Sequence, residues 1–424
     1  MEGIKLSEIV VEGGRKLIGE VPISGSKNAA LPILAAAVMI DEPVVLDNVP
    51  ELKDVFTMLT ILQRIGKKVS FRDNRVVVEP GNVLMGDVPY ELVRMMRASF
   101  NVLGPLTMVC GWAKVGKPGG CNIGQRPVDF HIEGLKALGF LIKEEHGDVI
   151  AKKPSSFKEE LYYKLPFPSV GATEQLMTVA ALMSESKTII ENVAREPEIQ
   201  DLQNFLNKAG AKIKGAGTDR IEIEGVEKLH GIEYHIIPDR IEAGTYLLAG
   251  VSTRGRVKVS NVIPEHLEAL LKVLDELGVS ITCDKNSIEV SVSGELKPIR
   301  VSTAPYPGFP TDLQPMLTAV LCTVPGESII EEKVFENRFG YVDEMNRMSA
   351  NIKVMNRVAH IVGVEKLSGA QIYAPDIRAT AGMLIAALSA EGQTVIKNAA
   401  HIFRGYEKLK EKFNRDRGTD RDIS

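Results

Sequence analysis

Several things are scarce or missing in this chain. Tryptophan occurs once in 424 residues, and all aromatic residues together make up 5%. The four cysteines, Cys110, Cys121, Cys283 and Cys322, are far apart and form no CxxC pair, which excludes a disulfide scaffold and a zinc ribbon. The longest apolar run, residues 29–40, is broken by Pro32 and falls short of the ~20 residues a membrane span needs. No basic-then-apolar leader opens the chain, so a cytoplasmic protein without membrane insertion is expected. A net charge of −4 leaves no footprint for nucleic acid. The seven histidines show no metal-ligand spacing, so no metal is expected. There is neither a glycine-rich phosphate loop ending in Gly-Lys-Ser/Thr nor a GxGxxG turn after a strand, so ATP and NAD readings lack support. What remains, 44% apolar and 25% charged residues, is the balance of a globular enzyme of two or three domains.

A sixfold repeat is present. Six apolar, helix-like stretches open at Lys27, Arg97, Ser169, Arg240, Thr311 and Arg378, at intervals of 70, 72, 71, 71 and 67. A second series closes an amphipathic stretch at Gly66, Gly139, Gly210, Gly278 and Ser349, at intervals of 73, 71, 68 and 71. Glycine after the last apolar residue is a helix stop, because it takes a left-handed backbone at little cost. β-Branched alternation follows each stop, and another strand separates the two helices. The unit reads β-α-β-α-β-β. The first helix of each unit is apolar on nearly every side and belongs inside, whereas the second belongs outside. The expected fold is α/β: two inverse α/β-barrel-like domains of three units each, with buried helices and outer sheets. The sixth unit breaks the pattern. Its apolar face ends at Phe413, and Arg415-Asp-Arg-Gly-Thr-Asp-Arg-Asp stands where a strand belongs. The chain is therefore expected to leave the core near Phe413, and the sixth sheet to lack its closing strand pair.

Parallel buried helices would gather their positive N-terminal ends on one surface, a site for anions. The openings at Lys27, Arg97, Arg240 and Arg378 suit phosphate or carboxylate. Arg126, Arg338 and Arg404 share a second common phase, and the guanidinium fork binds oxyanions in pairs. Any one of these arginines is best read as a solvated charge; the in-phase set is not. Cys121 stands in a polar, glycine-rich loop after Lys114 and Lys117, where positive charge favours thiolate. The other three cysteines fit small buried hydrophobes. Asp312 opens an apolar helix, where an N-cap is the plain alternative. His131 and His401 are taken as walls of a site, not as ligands.

Together, Ser24-Gly-Ser-Lys27-Asn28, Met96-Arg97-Ala-Ser, Pro118-Gly-Gly-Cys121, Arg126-Pro-Val-Asp-Phe-His, Ser169-Val-Gly-Ala-Thr, Phe309-Pro-Thr-Asp312, Phe335-Glu-Asn-Arg338 and Arg404-Gly-Tyr resemble the enolpyruvyl transferase family, in its branch acting on UDP-N-acetylglucosamine. The resemblance covers residues 1 to about 413 and implies domains of residues 28–237 and of 1–27 with 238–424. It implies transfer of the enolpyruvyl group of phosphoenolpyruvate to UDP-N-acetylglucosamine, with no cofactor. By motif match, Cys121 is the proton donor and can carry phosphoenolpyruvate covalently, Asp312 is the candidate base, and Lys27 and Asn28 touch phosphoenolpyruvate. Arg126 and Arg404 match its phosphate and carboxylate side. Arg97, Arg126, Pro127, Val128, Asp129, Phe130, Phe167, Pro168, Ser169, Val170, Asp312 and Val334 match contacts to the nucleotide sugar. Arg338 and Arg378 join the anion-binding set. Phe167-Pro168 replaces a lysine-containing form found in some members. The alternatives are the sister enolpyruvyl-shikimate-phosphate synthase and a catalytically silent nucleotide-sugar-binding paralogue.

Overall fold

The third repeat shows the unit in full. The strand Glu160–Lys164 leads into a helix, Val170–Ala181. Then come the strand Lys187–Glu191, the helix Pro197–Lys208 and the hairpin of Lys212–Lys214 with Arg220–Glu224. The middle strand pairs parallel with the first and antiparallel with the last. In Arg220–Glu224 only Ile221 and Ile223 point inward, so one face of the sheet is apolar and the other charged. The computed structural model describes residues 8–81, 83–118 and 128–415. Among them are four four-stranded and two three-stranded sheets. The segments form two compact units, a first of residues 25–118 and 128–237 and a second of residues 8–24 and 238–415.

Each unit holds three buried helices. In the first they are α1 (Lys27–Ala36), α2 (Leu103–Cys110, entered through the 3₁₀ turn Arg97–Val102) and α3 (Val170–Ala181). In the second they are α4 (Arg240–Ser252), α5 (Gln314–Leu321, entered through the 3₁₀ turn Thr311–Leu313) and α6 (Ile377–Ser389). Nearly every residue of these helices is buried, and within each unit the three pack on one another. The helix stops behave as their residues require: Gly66, Gly139, Gly210, Gly278 and Ser349 have φ of 113°, 96°, 105°, 89° and 69°. A second periodic device is less visible in the sequence. Asn48, Asn192, Asn261 and Asn398, each ending a middle strand, take φ between 53° and 59°. Each donates its side-chain amide to a carbonyl just past the neighbouring parallel strand: Ile236, Leu165, Ile23 and Ala374. Asparagine tolerates this left-handed conformation better than most residues, and the amide ties the two strand ends together.

Two sheets take their parallel edge strand from far away in sequence. Glu233–His235 joins Val44–Asp47, and Ile18–Pro22 joins Arg256–Ser260. The second repeat keeps only a single parallel bridge, Asp87 with Lys114, in place of a first strand.

The sixth repeat corrects one expectation. Its middle strand, Gln393–Lys397, is closed antiparallel by the N-terminal strand Ile9–Glu12, so one of the two missing strands is supplied from the other end of the chain. The last helix, α7, spans Leu409–Arg415. Phe413 stacks on Tyr246 with centroids 4.7 Å apart, and buried Lys412 donates to Glu242 Oε1 and Ser24 Oγ, both at 2.7 Å. An apolar-face reading cannot see a lysine that is buried because it has two acceptors. The charged run beyond Arg415 lies outside the described residues. Burial raises the Glu242 carboxyl to about 7 although Lys412 pulls it down. Lys412→Met is therefore expected to cost about 3 kcal/mol at pH 8, where Glu242 must either stay charged without its partner or take up a proton against the solution pH. The cost should shrink near pH 5, where Glu242 takes up a proton. Urea midpoints at the two pH values check this; equal losses would refute it.

Candidate active site

In the second unit the helix openings converge. Asp312, in the 3₁₀ turn before α5, accepts from Arg338 Nη2 at 2.6 Å on Oδ1 and from Arg378 Nε at 3.0 Å on Oδ2. Arg378 sits in the first turn of α6, whose N-cap Asp376 accepts from the backbone N–H groups of Arg378 and Ala379. Both guanidinium groups are almost wholly buried, whereas the Asp312 side chain keeps 30% of its surface. Burial works against the charge of Arg378, but Asp312 and Tyr406 hold it protonated and push its pKa up. Its Nη1 also donates to Tyr406 Oη at 3.3 Å, and that hydroxyl lies 2.9 Å from Thr245 Oγ1 in α4. All three inner helices thus contribute to one polar cluster. Arg338 is fixed further by the Thr311 carbonyl, 3.1 Å away. Val334 is held on the adjoining loop, where its backbone N–H donates to Glu332. Arg404 ends the 3₁₀ turn Ala399–Arg404, half-buried, two residues before Tyr406. Gly405 between them is required, because a Cβ there would come within 2.9 Å of Ile377 and 3.5 Å of Arg378. His401 is half-buried on the same turn.

In the first unit, Lys27 opens α1 behind its N-cap Ser26 and pairs with Asp54 at 3.2 Å, both side chains nearly buried. A buried ammonium at the positive end of a helix needs such a carboxylate. Asn28 follows, half-buried. Ser169 caps α3 through the Ala172 N–H; Val170 is its first residue, with half-buried Pro168 and exposed Phe167 before it. Arg97 opens the turn before α2, half-buried. Val128 is buried at the start of the helix Asp129–Ala137, with Asp129 exposed and Phe130 half-buried. The start of α3, the turn Arg97–Val102 and the helix Asp129–Ala137 meet at Gly171, where a Cβ would stand 2.8 Å from His131 Nε2 and 3.7 Å from Asn101 Oδ1. Cys121, Arg126 and Pro127 lie outside the described residues.

The structure corrects one cysteine. Cys283 is exposed on Ser280–Asp284, a strand facing solvent along most of its length, while Cys110 is half-buried and Cys322 buried. Sequence reasoning also missed Asp54, Tyr406 and the pair Asn101–Glu174. Asp54 lies on the buried side of its helix, an anomaly in the apolar phase that could have marked it. Asn101 Nδ2 donates to Glu174 Oε2 at 2.6 Å. Burial raises the Glu174 carboxyl to about 8, Asn101 opposing and Glu198 and Glu196 reinforcing. The folded protein then holds a proton that the unfolded chain releases above 4.5. This group's contribution is complete below that value and is lost as pH rises towards 8. Glu174→Gln is expected to flatten the fall in stability between pH 5 and 8, by up to about 1.4 kcal/mol per pH unit. An unchanged slope in urea unfolding would overturn it.

Among the described residues, no helix is long and apolar enough to cross a membrane, and no group of three or more His, Cys, Asp or Glu could hold a metal ion. Residues 11–413 match the family model of EPSP synthase (3-phosphoshikimate 1-carboxyvinyltransferase). A protein of Thermotoga maritima named UDP-N-acetylglucosamine 1-carboxyvinyltransferase is 55% identical over 412 residues, 96% of this chain and 97% of its own length. The chain belongs to the enolpyruvyl transferase family. A second member, UDP-N-acetylglucosamine 1-carboxyvinyltransferase 2 of Carboxydothermus hydrogenoformans, is 50% identical, covering 96% of this chain and 97% of its own. Among solved structures, the enolpyruvyl transferase NikO from Streptomyces tendae superposes with a TM-score of 0.87 at 23% identity, over 98% of both chains. EPSP synthase from Acinetobacter baumannii gives 0.77 at 16%, over 98% of this chain and 99% of that one. These two likenesses carry the enolpyruvyl transferase fold and no more. In this family member, then, the α/β repeat units and their buried helices are those of enolpyruvyl transferases.

Proposed function

We infer that this enolpyruvyl transferase moves the enolpyruvyl group of phosphoenolpyruvate onto UDP-N-acetylglucosamine and releases phosphate, the first committed step of peptidoglycan synthesis. The relatives at 50–55% identity over nearly the whole chain carry this reading. The sister shikimate enzyme shares the fold, but the solved example is only 16% identical. The chemistry needs no redox step. A sugar hydroxyl loses its proton and its oxygen bonds to the central carbon of phosphoenolpyruvate, while the methylene carbon gains a proton. The resulting tetrahedral ketal then loses phosphate and a methyl proton, restoring the double bond.

The site residues have matching roles in this proposal. Cys121 donates the proton to the methylene carbon and Asp312 accepts the one from the hydroxyl. Lys27 and Asn28, at the opening of α1, and Arg126 and Arg404 hold phosphoenolpyruvate. The nucleotide sugar takes Arg97, Arg126, Pro127, Val128, Asp129, Phe130, Phe167, Pro168, Ser169, Val170, Asp312 and Val334. Arg338 and Arg378 orient Asp312 and add positive field, which both anionic substrates need. Purified protein given phosphoenolpyruvate and UDP-N-acetylglucosamine should release one phosphate per enolpyruvyl product. Release with shikimate 3-phosphate and none with the nucleotide sugar would overturn the assignment.

A further inference from the structure

At the other end of α1 from Lys27, the first unit contains a cavity of about 820 Å³. The ten-residue helix alone separates the two by about 15 Å at 1.5 Å rise per residue, and the 3₁₀ turn Ala37–Met39 extends it, so the cavity is distinct from the substrate-binding openings. Its volume is in the range of small-molecule sites. Met39, Leu84, Met85, Val109 and Trp112 give it apolar walls. Several are strongly exposed for their type: Met85 at 54%, Trp112 at 44% and Val109 at 39%.

The cavity also contains Lys67, which is only 5% exposed. An ammonium has three hydrogens to donate. Among the described residues this one has a single acceptor, the Ile40 carbonyl at 2.6 Å. No carboxylate among them stands within ion-pair distance, although every other strongly buried lysine described, Lys27 and Lys412, has one. Burial lowers the Lys67 pKa, with only the field of Asp41 opposing. Of the acids lining the cavity, Asp87 is neutralised by Lys114 at 2.8 Å, and Asp41 is exposed to solvent.

We propose that this cavity binds a small organic monocarboxylate, its charge on Lys67 and its aromatic or aliphatic body against Trp112, Met85 and Val109. A carboxylate supplies the acceptors that Lys67 lacks, and the apolar walls cover the rest of the molecule. One buried ammonium among apolar walls balances one negative charge and leaves a second without a partner, so a monocarboxylate fits and a phosphate dianion does not.

Trp112 is the only tryptophan in the chain, so its fluorescence reports on this cavity alone. Titration of the full-length protein with 4-phenylbutyrate should give a saturable blue shift. The neutral 4-phenylbutan-1-ol should bind at least tenfold more weakly, and inorganic phosphate should leave the spectrum unchanged. Lys67→Met should weaken the acid at least tenfold. Should that variant fail to fold, Met85→Glu decides: it changes an exposed side chain, removes one apolar contact from both ligands and adds a negative charge, so it should weaken the acid at least tenfold more than the alcohol. Equal affinity for acid and alcohol, a response to phosphate, no saturable shift, or variants that bind the acid like the parent would each overturn the proposal.

Discussion

Asp312→Asn is expected to lower turnover about 10²–10⁴-fold, the usual contribution of a positioned base, while UDP-N-acetylglucosamine still binds. Asparagine keeps the shape of the side chain and can still accept a hydrogen bond, but it cannot take up the sugar proton. The substitution also removes the carboxylate whose two oxygens accept from the guanidinium groups of Arg338 and Arg378. Those guanidinium groups are buried, so part of the effect will be on stability, up to about 3 kcal/mol for one partner of a buried pair. The two effects separate in measurement. Urea unfolding gives the loss of stability, and calorimetric titration gives the affinity for the nucleotide sugar. A turnover that falls only as far as affinity does would refute the base role and leave Asp312 a binding residue. Tyr406→Phe is the contrasting change, because it removes the hydroxyl that receives Arg378 Nη1 but leaves Asp312 in place. It should move turnover far less.

Much of this arrangement is legible in the sequence, for a local reason. A buried helix between charged openings, and a glycine that must turn left-handed, are properties of a few adjacent residues, and both recur from one repeat to the next. The openings Lys27, Arg97, Ser169 and Arg378 are readable for the same reason. Strand exchange is not. Glu233–His235 joins Val44–Asp47, at the opposite end of the first unit's sequence, and Ile9–Glu12 closes the sheet of Gln393–Lys397, at the opposite end of the chain; neither pairing alters the local alternation. The asparagine series that ties the parallel strand ends also looks like ordinary turn chemistry until its partner carbonyls are known. Buried charged groups are the other gap. Asp54, Glu174, Glu242 and Lys412 are buried although their residue types belong at the surface, and only the partner across the core explains each.

Fosfomycin, an epoxide phosphonate, is expected to abolish activity with one adduct per chain, on Cys121. In that reaction the thiolate forms a C–S bond as an epoxide C–O bond breaks, and the opened oxygen takes a proton. The thiol that reacts is the one most readily ionised, and the other three are disfavoured. Cys322 is buried and its thiol is pushed up to about 12. Burial also raises Cys110. Burial raises Cys283 too, with Asp284 and Glu265 adding to it, although this cysteine is exposed. The two lysines that precede Cys121 do less than their position suggests, since Lys114 pairs with Asp87 and Lys117 with Glu144. In the proposed site the anion-binding arginines are the remaining positive groups, and they would also attract the phosphonate. Cys121→Ser should prevent the adduct. Cys121→Asp keeps a group able to donate a proton but has no thiol, so it should retain turnover and resist the inhibitor. Peptide mapping by mass spectrometry decides between the cysteines. Cys283 is the informative control, being exposed yet unfavourably placed among acids. An adduct there or on Cys110, with Cys121 unmodified and activity lost, would show that surface access and not ionisation selects the thiol, and would remove Cys121 from its proposed role.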